Sequence, residues 1–153
     1  MKIIRTTDFE LVAKLNKPIH DLHVSLYPEH FTEYSFGAMR DAFERFMQNE
    51  SFSFFIVEDN NEPLGYAWIE IKNYSQGAFV KQRKSLFVHQ ISIVENQKRK
   101  GYGSFLMNYI YDFAKSEGIE MIELDYWTDN EHAKNFYDKQ GFAAFREYVY
   151  KKI

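Results

Sequence analysis

The residues whose types and spacing could do chemistry stand together in Lys98-Arg99-Lys100-Gly101-Tyr102-Gly103-Ser104. An apolar run over residues 86–94 precedes them and a helical pattern begins near Tyr102, so the segment reads as a strand turning through glycines into a helix N-terminus. The first N–H groups of a helix have no intrahelical partner, and the helix dipole adds partial positive charge there, which makes such a terminus an anion site. Gly101 and Gly103 carry no Cβ and admit a ligand close to the backbone. Three adjacent cations favour a phosphorylated ligand. The spacing is not that of the common nucleotide motifs. No Gly-x-x-x-x-Gly-Lys-[Ser/Thr] occurs, and Gly-Tyr-Gly lacks the third glycine of a dinucleotide fingerprint. Taken alone, the segment suits a solvated basic loop as well as it suits a phosphate site.

A second segment tips the balance: Asn130-Glu131-His132-Ala133-Lys134-Asn135-Phe136-Tyr137, closed by Gly141-Phe142. With both on the page, the chain resembles the GCN5-related N-acetyltransferase superfamily. That family carries [Gln/Arg]-x-x-Gly-x-[Gly/Ala] between a strand and a helix, and Asn-x-x-Ala-x-x-[Phe/Leu]-Tyr-x-x-x-Gly-Phe further on. Lys98 to Gly103 follows the first pattern, and Asn130 to Phe142 follows the second at every defining position. Lys98 stands where the family has Gln or Arg, so a point charge replaces an amide or a bidentate guanidinium.

The resemblance implies acetyl-coenzyme A as acyl donor. Its pyrophosphate would lie on the loop of Lys98, Arg99, Lys100, Gly101, Tyr102, Gly103 and Ser104. Its pantetheine would run beside the strand carrying Ile91 and Ile93, pairing with their backbone, and the Ile93 N–H would polarise the thioester carbonyl. Asn130 would cap its helix and meet the pantetheine amides, with Phe136 beside the cofactor. Tyr137 matches the family tyrosine that faces the coenzyme sulfur. A phenol of pKa about 10 stays protonated at neutral pH and can donate to a forming thiolate. The plainer reading of Tyr137 is a core residue in the stripe Ala133-Phe136-Tyr137.

His89 is the candidate base. Strand alternation would place it on the same face as Ile91 and Ile93, and a histidine of pKa about 6.5 suits proton acceptance. Glu70 and water are the competing bases, and an ordinary half-buried strand histidine is the plainer reading. For the acceptor, His23, Tyr27, His30, Phe31 and Tyr34 could line an amine pocket, since aromatic faces attract cations. A helix–loop core suits Tyr27 and Phe31 better.

The elements that must position these residues follow from periodicity. A strand over residues 1–5 precedes a helix capped by Asp8 and running to residue 26, which Pro18 should kink or divide. A second helix covers residues 36–48. Strands are expected over residues 51–58, 64–72 and 86–94, the first two joined by a turn at Asp59-Asn60-Asn61. A helix over residues 101–117 stops at Gly118. A strand over residues 121–126 leads to a short helix capped by Asp129 or Asn130 and ending at Gly141. Strands over residues 142–145 and 148–150 would close the chain. The mixture predicts an α+β fold, a sandwich of helices around a single mixed sheet, and the resemblance adds that the sheet is splayed between the strands over residues 86–94 and 121–126.

The 153 residues suit a single domain, here an N-acetyltransferase domain over residues 1–153, and 45% hydrophobic content supplies a core. No stretch has the length of an apolar membrane span, no signal-peptide run opens the chain, and a cytoplasmic protein is expected. The absence of cysteine excludes disulfides, thiolate metal sites and a cysteine acyl-enzyme. No metal is expected from the scattered histidines. A net charge of −3 argues against nucleic acid as partner, and no membrane partner is expected. The function so implied is transfer of an acetyl group from acetyl-CoA to a primary amine of a small molecule, or to a peptide or protein N-terminus, directly in a ternary complex. A non-catalytic acyl-CoA-binding or regulatory domain is the alternative, and a homodimer stays open. A general phosphate-binding protein would leave Asn130 to Phe142 unexplained.

Overall fold

The computed structural model describes residues 1–153. Five strands form one sheet in the order β1 (Lys2–Arg5), β2 (Phe52–Asp59), β3 (Glu62–Tyr74), β4 (Arg83–Ile93) and β5 (Ile122–Leu124). The first four pair antiparallel and β5 runs parallel to β4. Helices α1 (Phe9–Leu26) and α2 (Phe36–Phe46) precede β2. Helix α3 (Tyr102–Ser116) connects β4 to β5, and α4 (Glu131–Lys139) follows β5.

Local chemistry accounts for the boundaries. Asp8 Oδ1 accepts from the Leu11 N–H at 2.9 Å, Ser35 Oγ from Ala38 at 3.4 Å and Asn130 Oδ1 from Ala133 at 3.1 Å, so three helices start on side-chain caps. Asn60 and Asn61 both take positive φ, 50° and 62°, which is the geometry of a two-residue hairpin turn. Pro63 sits where the β2–β3 register shifts, a place that needs no ladder donor. Pro18 does not divide α1, which runs unbroken through it. The buried residues of α1, Val12, Ala13, Leu15 and Asn16, all lie before the proline, and the bond it cannot make is to the carbonyl of Lys14, a residue on the exposed side of the helix.

The sheet separates two cores. On one side α3 and α4 cover Phe55, Val57, Ala67, Ile69, Leu86 and Val88 through Leu106, Met107 and Ile110. On the other, α1 and α2 cover Phe54, Ile56 and Tyr66 through Val12, Leu15 and Phe43. Burying each of these large side chains contributes about 1.5–3 kcal/mol.

Two expectations fail here. The strands expected over residues 142–145 and 148–150 do not form; residues 142–153 carry neither helix nor strand. The segment has strand-forming residues, but a strand needs a neighbour, and none of the protein's own strands pairs with it. The strand expected over residues 121–126 shortens to β5, because β4 parts from it beyond Val88.

Candidate active site

The ladder between β4 and β5 holds only Leu86↔Ile122, Phe87↔Glu123 and Val88↔Leu124. Beyond it β4 continues to Ile93 with nothing on its β5 side, so a gap opens in the sheet. The parting coincides with a bulge. Trp68 pairs with Gln90 and Ile69 with Val88, which leaves His89 as the extra residue. Val94 N–H donates to Leu64 O at 2.9 Å. Alternation from that bond pairs Ser92 with β3 and turns the N–H groups of Ile91 and Ile93 toward the gap.

The bulge corrects the face expected for His89. Leu86, Val88, Ile91 and Ile93 all face the α3 core. His89 and Gln90 instead both turn to the α1–α2 face. Gln90 is fixed there by Asn16 Nδ2, which donates to its Oε1 and to Tyr66 Oη, each at 2.8 Å, and by the Tyr66 hydroxyl. His89 stacks on Trp68, ring centroids 4.4 Å apart, and meets Phe52 at 5.3 Å and Phe87 at 4.9 Å. Its Nε2 lies 2.7 Å from Glu70 Oε2. Burial lowers its pKa below 6.5, against the raising effect of Glu70, so the ring is neutral at pH 7. With Nε2–H donated to the Glu70 carboxylate, Nδ1 carries the lone pair. Lys72 Nζ stands 3.8 Å from Glu70 and 3.8 Å over the Phe87 ring.

At the end of β4 a 3₁₀ turn, Glu95–Gln97, leads into the basic loop. Arg99 and Gly101 take positive φ, 64° and 92°, and the chain enters α3 with no side-chain cap. None of the backbone N–H groups of residues 99–104 finds an acceptor in the protein. The cations divide. Lys98 Nζ pairs with Glu95 at 2.5 Å and Lys100 Nζ donates to Gln97 at 2.9 Å, while Arg99 makes no ion pair or hydrogen bond. Tyr102 turns inward and its hydroxyl donates to Asp59 Oδ2 at 2.9 Å. The missing Cβ of Gly103 makes room for Phe136, whose ring would lie 3.4 Å from it. Ser104 Oγ accepts from Gln140 Nε2 at 3.3 Å and Tyr111 donates to Gln140 Oε1 at 3.1 Å. These contacts fasten the C-terminal end of α4, the helix that bears Tyr137, to the first and third turns of α3.

Tyr137 is 8% exposed, between Phe136, Phe142 and Tyr126. Burial, reinforced by the Asp125 carboxylate, pushes its phenol up to about 12. Its hydroxyl makes no hydrogen bond in the protein. Asn130 is buried at the head of the same helix, its Oδ1 used by the cap and its Nδ2 without a protein partner.

Two site residues escape a reading of the sequence. Asp125, just past β5, carries a carboxylate that raises the pKa of both His89 and Tyr137. Its position directly after a strand that runs into the gap was the available signal. Trp127 gathers the α1–α2 connection, with Tyr27, His30 and Phe31 at 4.5, 5.8 and 5.0 Å. Tyr27 Oη also accepts from the Asp129 N–H at 3.0 Å, and Tyr34 donates to Ala13 O at 2.8 Å. These aromatics latch the loop after α1 to the loop after β5, with Tyr27 and Phe31 half-buried and outside both cores.

A family model described as the acetyltransferase (GNAT) family matches residues 16–142, and the chain belongs to that family. An N-acetyltransferase of Methanocaldococcus jannaschii, itself uncharacterised, is 27% identical over 65% of this chain and 43% of its own length. The chain spans about half the length of the curated relatives it matches, 43% and 55%. A tetramutant of the BH1408 protein from Bacillus halodurans shares the fold at TM-score 0.93 and 23% identity, over 100% of both chains. The aminoglycoside N-acetyltransferase AAC(6')-Iy, solved in complex with CoA, shares it at TM-score 0.69 and 14% identity, over 99% of this chain and 93% of that one.

Proposed function

We propose that this chain is an acetyl-CoA-dependent N-acetyltransferase. It moves the acetyl group to a primary amine, of a small molecule or of a peptide or protein N-terminus, directly in a ternary complex. One observation carries the reading: β4 leaves β5 at Val88, so that alternation turns the amides of Ile91 and Ile93 into the gap, and the chain runs on into a helix terminus without a side-chain cap. Family membership and a shared fold with a CoA-bound relative support it.

The residues present fit such a donor. The unpaired amides of residues 99–104, with the unengaged Arg99 guanidinium, would hold the pyrophosphate. The free edge of β4 would pair with the pantetheine amides, and Asn130 Nδ2 is available to them. The thioester carbonyl would accept from the Ile93 N–H, which stabilises negative charge as it develops. Attack by the amine forms the C–N bond and breaks the C–S bond. The proton lost from nitrogen passes to His89 Nδ1, held in the correct tautomer by Glu70. Tyr137 gives its proton to the departing sulfur.

The test is a panel of primary amines, including diamines, aminoglycosides, amino acids and peptides, with release of the coenzyme thiol as readout. The chain has no cysteine, so it adds no thiol background. Amine-dependent release is expected for one class. Tight acetyl-CoA binding with no release across the panel would favour the non-catalytic acyl-CoA-binding domain instead.

A further inference from the structure

The core between α1–α2 and the sheet is built on Val12, Leu15, Phe43 and Phe54. Two polar groups are sunk beside them: Asn16, 4% exposed, and the hydroxyl of Tyr66, a residue with no exposure. Both converge on Gln90. Asn16 Nδ2 donates to Tyr66 Oη and to Gln90 Oε1, each at 2.8 Å, and the Tyr66 hydroxyl donates to the same Gln90 oxygen. The cluster does not complete itself, since Asn16 Oδ1 is buried without a partner. A polar cluster left partly unsatisfied is less stable than apolar side chains of the same shape. Stability is therefore not what these groups supply.

Their place in the fold shows what they do supply. Past Val88, β4 loses its neighbour on the β5 side, and its backbone pairs with β3 alone. Helix α1 adds two fastenings from one turn. Asn16 reaches Gln90, and the Leu15 carbonyl accepts from Ser92 Oγ at 3.1 Å. The first lands beside His89, the bulge residue, which has no partner on β3. A bulge disrupts the ladder locally, so this is the stretch whose conformation the sheet determines least. We propose that Asn16 and Tyr66 are positioning residues: by clamping Gln90 they hold the bulge so that His89 keeps its ring on Trp68 and its Nε2 on Glu70, with Nδ1 offered to the acceptor amine. That role rests on the acetyltransferase reading, whereas the placement of the ring can be read without any substrate.

The test is the NMR titration of His89 in the full chain, its signals identified among those of the five histidines by their loss in His89→Gln. Burial in the slot between Trp68, Phe52 and Phe87 is the largest influence on the ring and lowers its pKa; Glu70 and Asp125 raise it and Lys72 lowers it. Release of the ring to water therefore moves its midpoint up toward 6.5. Tyr66→Phe removes the hydroxyl and keeps the buried ring, and Asn16→Leu replaces the amide by an apolar group of similar size. In each the His89 midpoint should rise, while the denaturant midpoint of unfolding changes little. Tyr66→Phe decides alone if Asn16→Leu does not fold. With an amine that is turned over, kcat should fall on the order of tenfold, the acidic limb should move with the titration, and acetyl-CoA affinity should hold. A His89 titration that the variants leave in place overturns the positioning role, whatever happens to rate or stability. A moved titration in a chain that turns over no amine would instead overturn the acetyltransferase reading and leave the clamp on the ring standing.

Discussion

Burial lifts the Tyr137 phenol to about 12, so the group stays protonated across the neutral range and would meet a forming thiolate as a donor. Its hydroxyl would act on charge that appears only as the thioester breaks. Tyr137→Phe keeps the ring between Phe136 and Phe142, so acetyl-CoA affinity should hold while turnover falls by roughly ten- to a thousand-fold. Full turnover in that variant, with an amine whose chemical step limits the rate, would return Tyr137 to a packing role. His89 shifts the other way. Its folded pKa lies below the unfolded 6.5, so the stability this group contributes is complete above pH 6.5 and declines as pH falls toward the folded value. As a base it should give an acidic limb with its midpoint below 6.5. Because Glu70 raises that pKa, Glu70→Gln should move the limb to lower pH, while His89→Gln should abolish it. Parent and variants compared on one amine remove the amine's own ionisation from the comparison. In the basic loop, Lys98 is already paired with Glu95 and Arg99 is not. Calorimetry should therefore show Arg99→Ala weakening acetyl-CoA binding, and its salt dependence, more than Lys98→Ala does. Equal losses would contradict that division of the charge.

At the scale of elements, the closeness of β3 and β4 rests on Gly65. A Cβ there would lie 2.3 Å from the Ser92 carbonyl oxygen and 3.1 Å from Ile93 Cα, and backbone cannot step aside as a flexible side chain can. Gly65→Ala should lower stability by about 1–3 kcal/mol, read as a lower denaturant midpoint, and an unchanged midpoint would show that the two strands have slack. The helix boundaries, the Asn60-Asn61 turn and the glycine stop of α3 were legible in the sequence because each depends on a few adjacent residues. The parting of β4 from β5 was legible only through the resemblance. The bulge had a signal that strict alternation passes over. Apolar residues fall at 86 and 88, then resume out of phase at 91 and 93, with His89 and Gln90 between. That break in phase moved His89 to the other face. The missing strands over residues 142–145 and 148–150 failed for another reason. Sequence shows that a segment prefers to be a strand, but not whether it docks on an edge of the sheet; here β5 keeps an open edge and residues 142–153 do not pair with it.

Taken as a whole, the molecule carries a net charge of −3, yet it gathers Lys98, Arg99 and Lys100 beside six unpartnered amides, so attraction for a phosphorylated donor is local rather than global. The sheet keeps two separate cores and opens between them only past Val88. That opening joins the α3 face, where the proposed anion site lies, to the α1–α2 face, where His89 and Glu70 stand. On the proposed function the acyl donor occupies the opening along its whole length. Hydrogen exchange with and without acetyl-CoA tests this most directly. Slowed exchange is expected at the amides of Ile91 and Ile93 and at residues 99–104 together, with β1 and β2 unchanged. Unaltered exchange at Ile91 and Ile93 under saturating acetyl-CoA would contradict it.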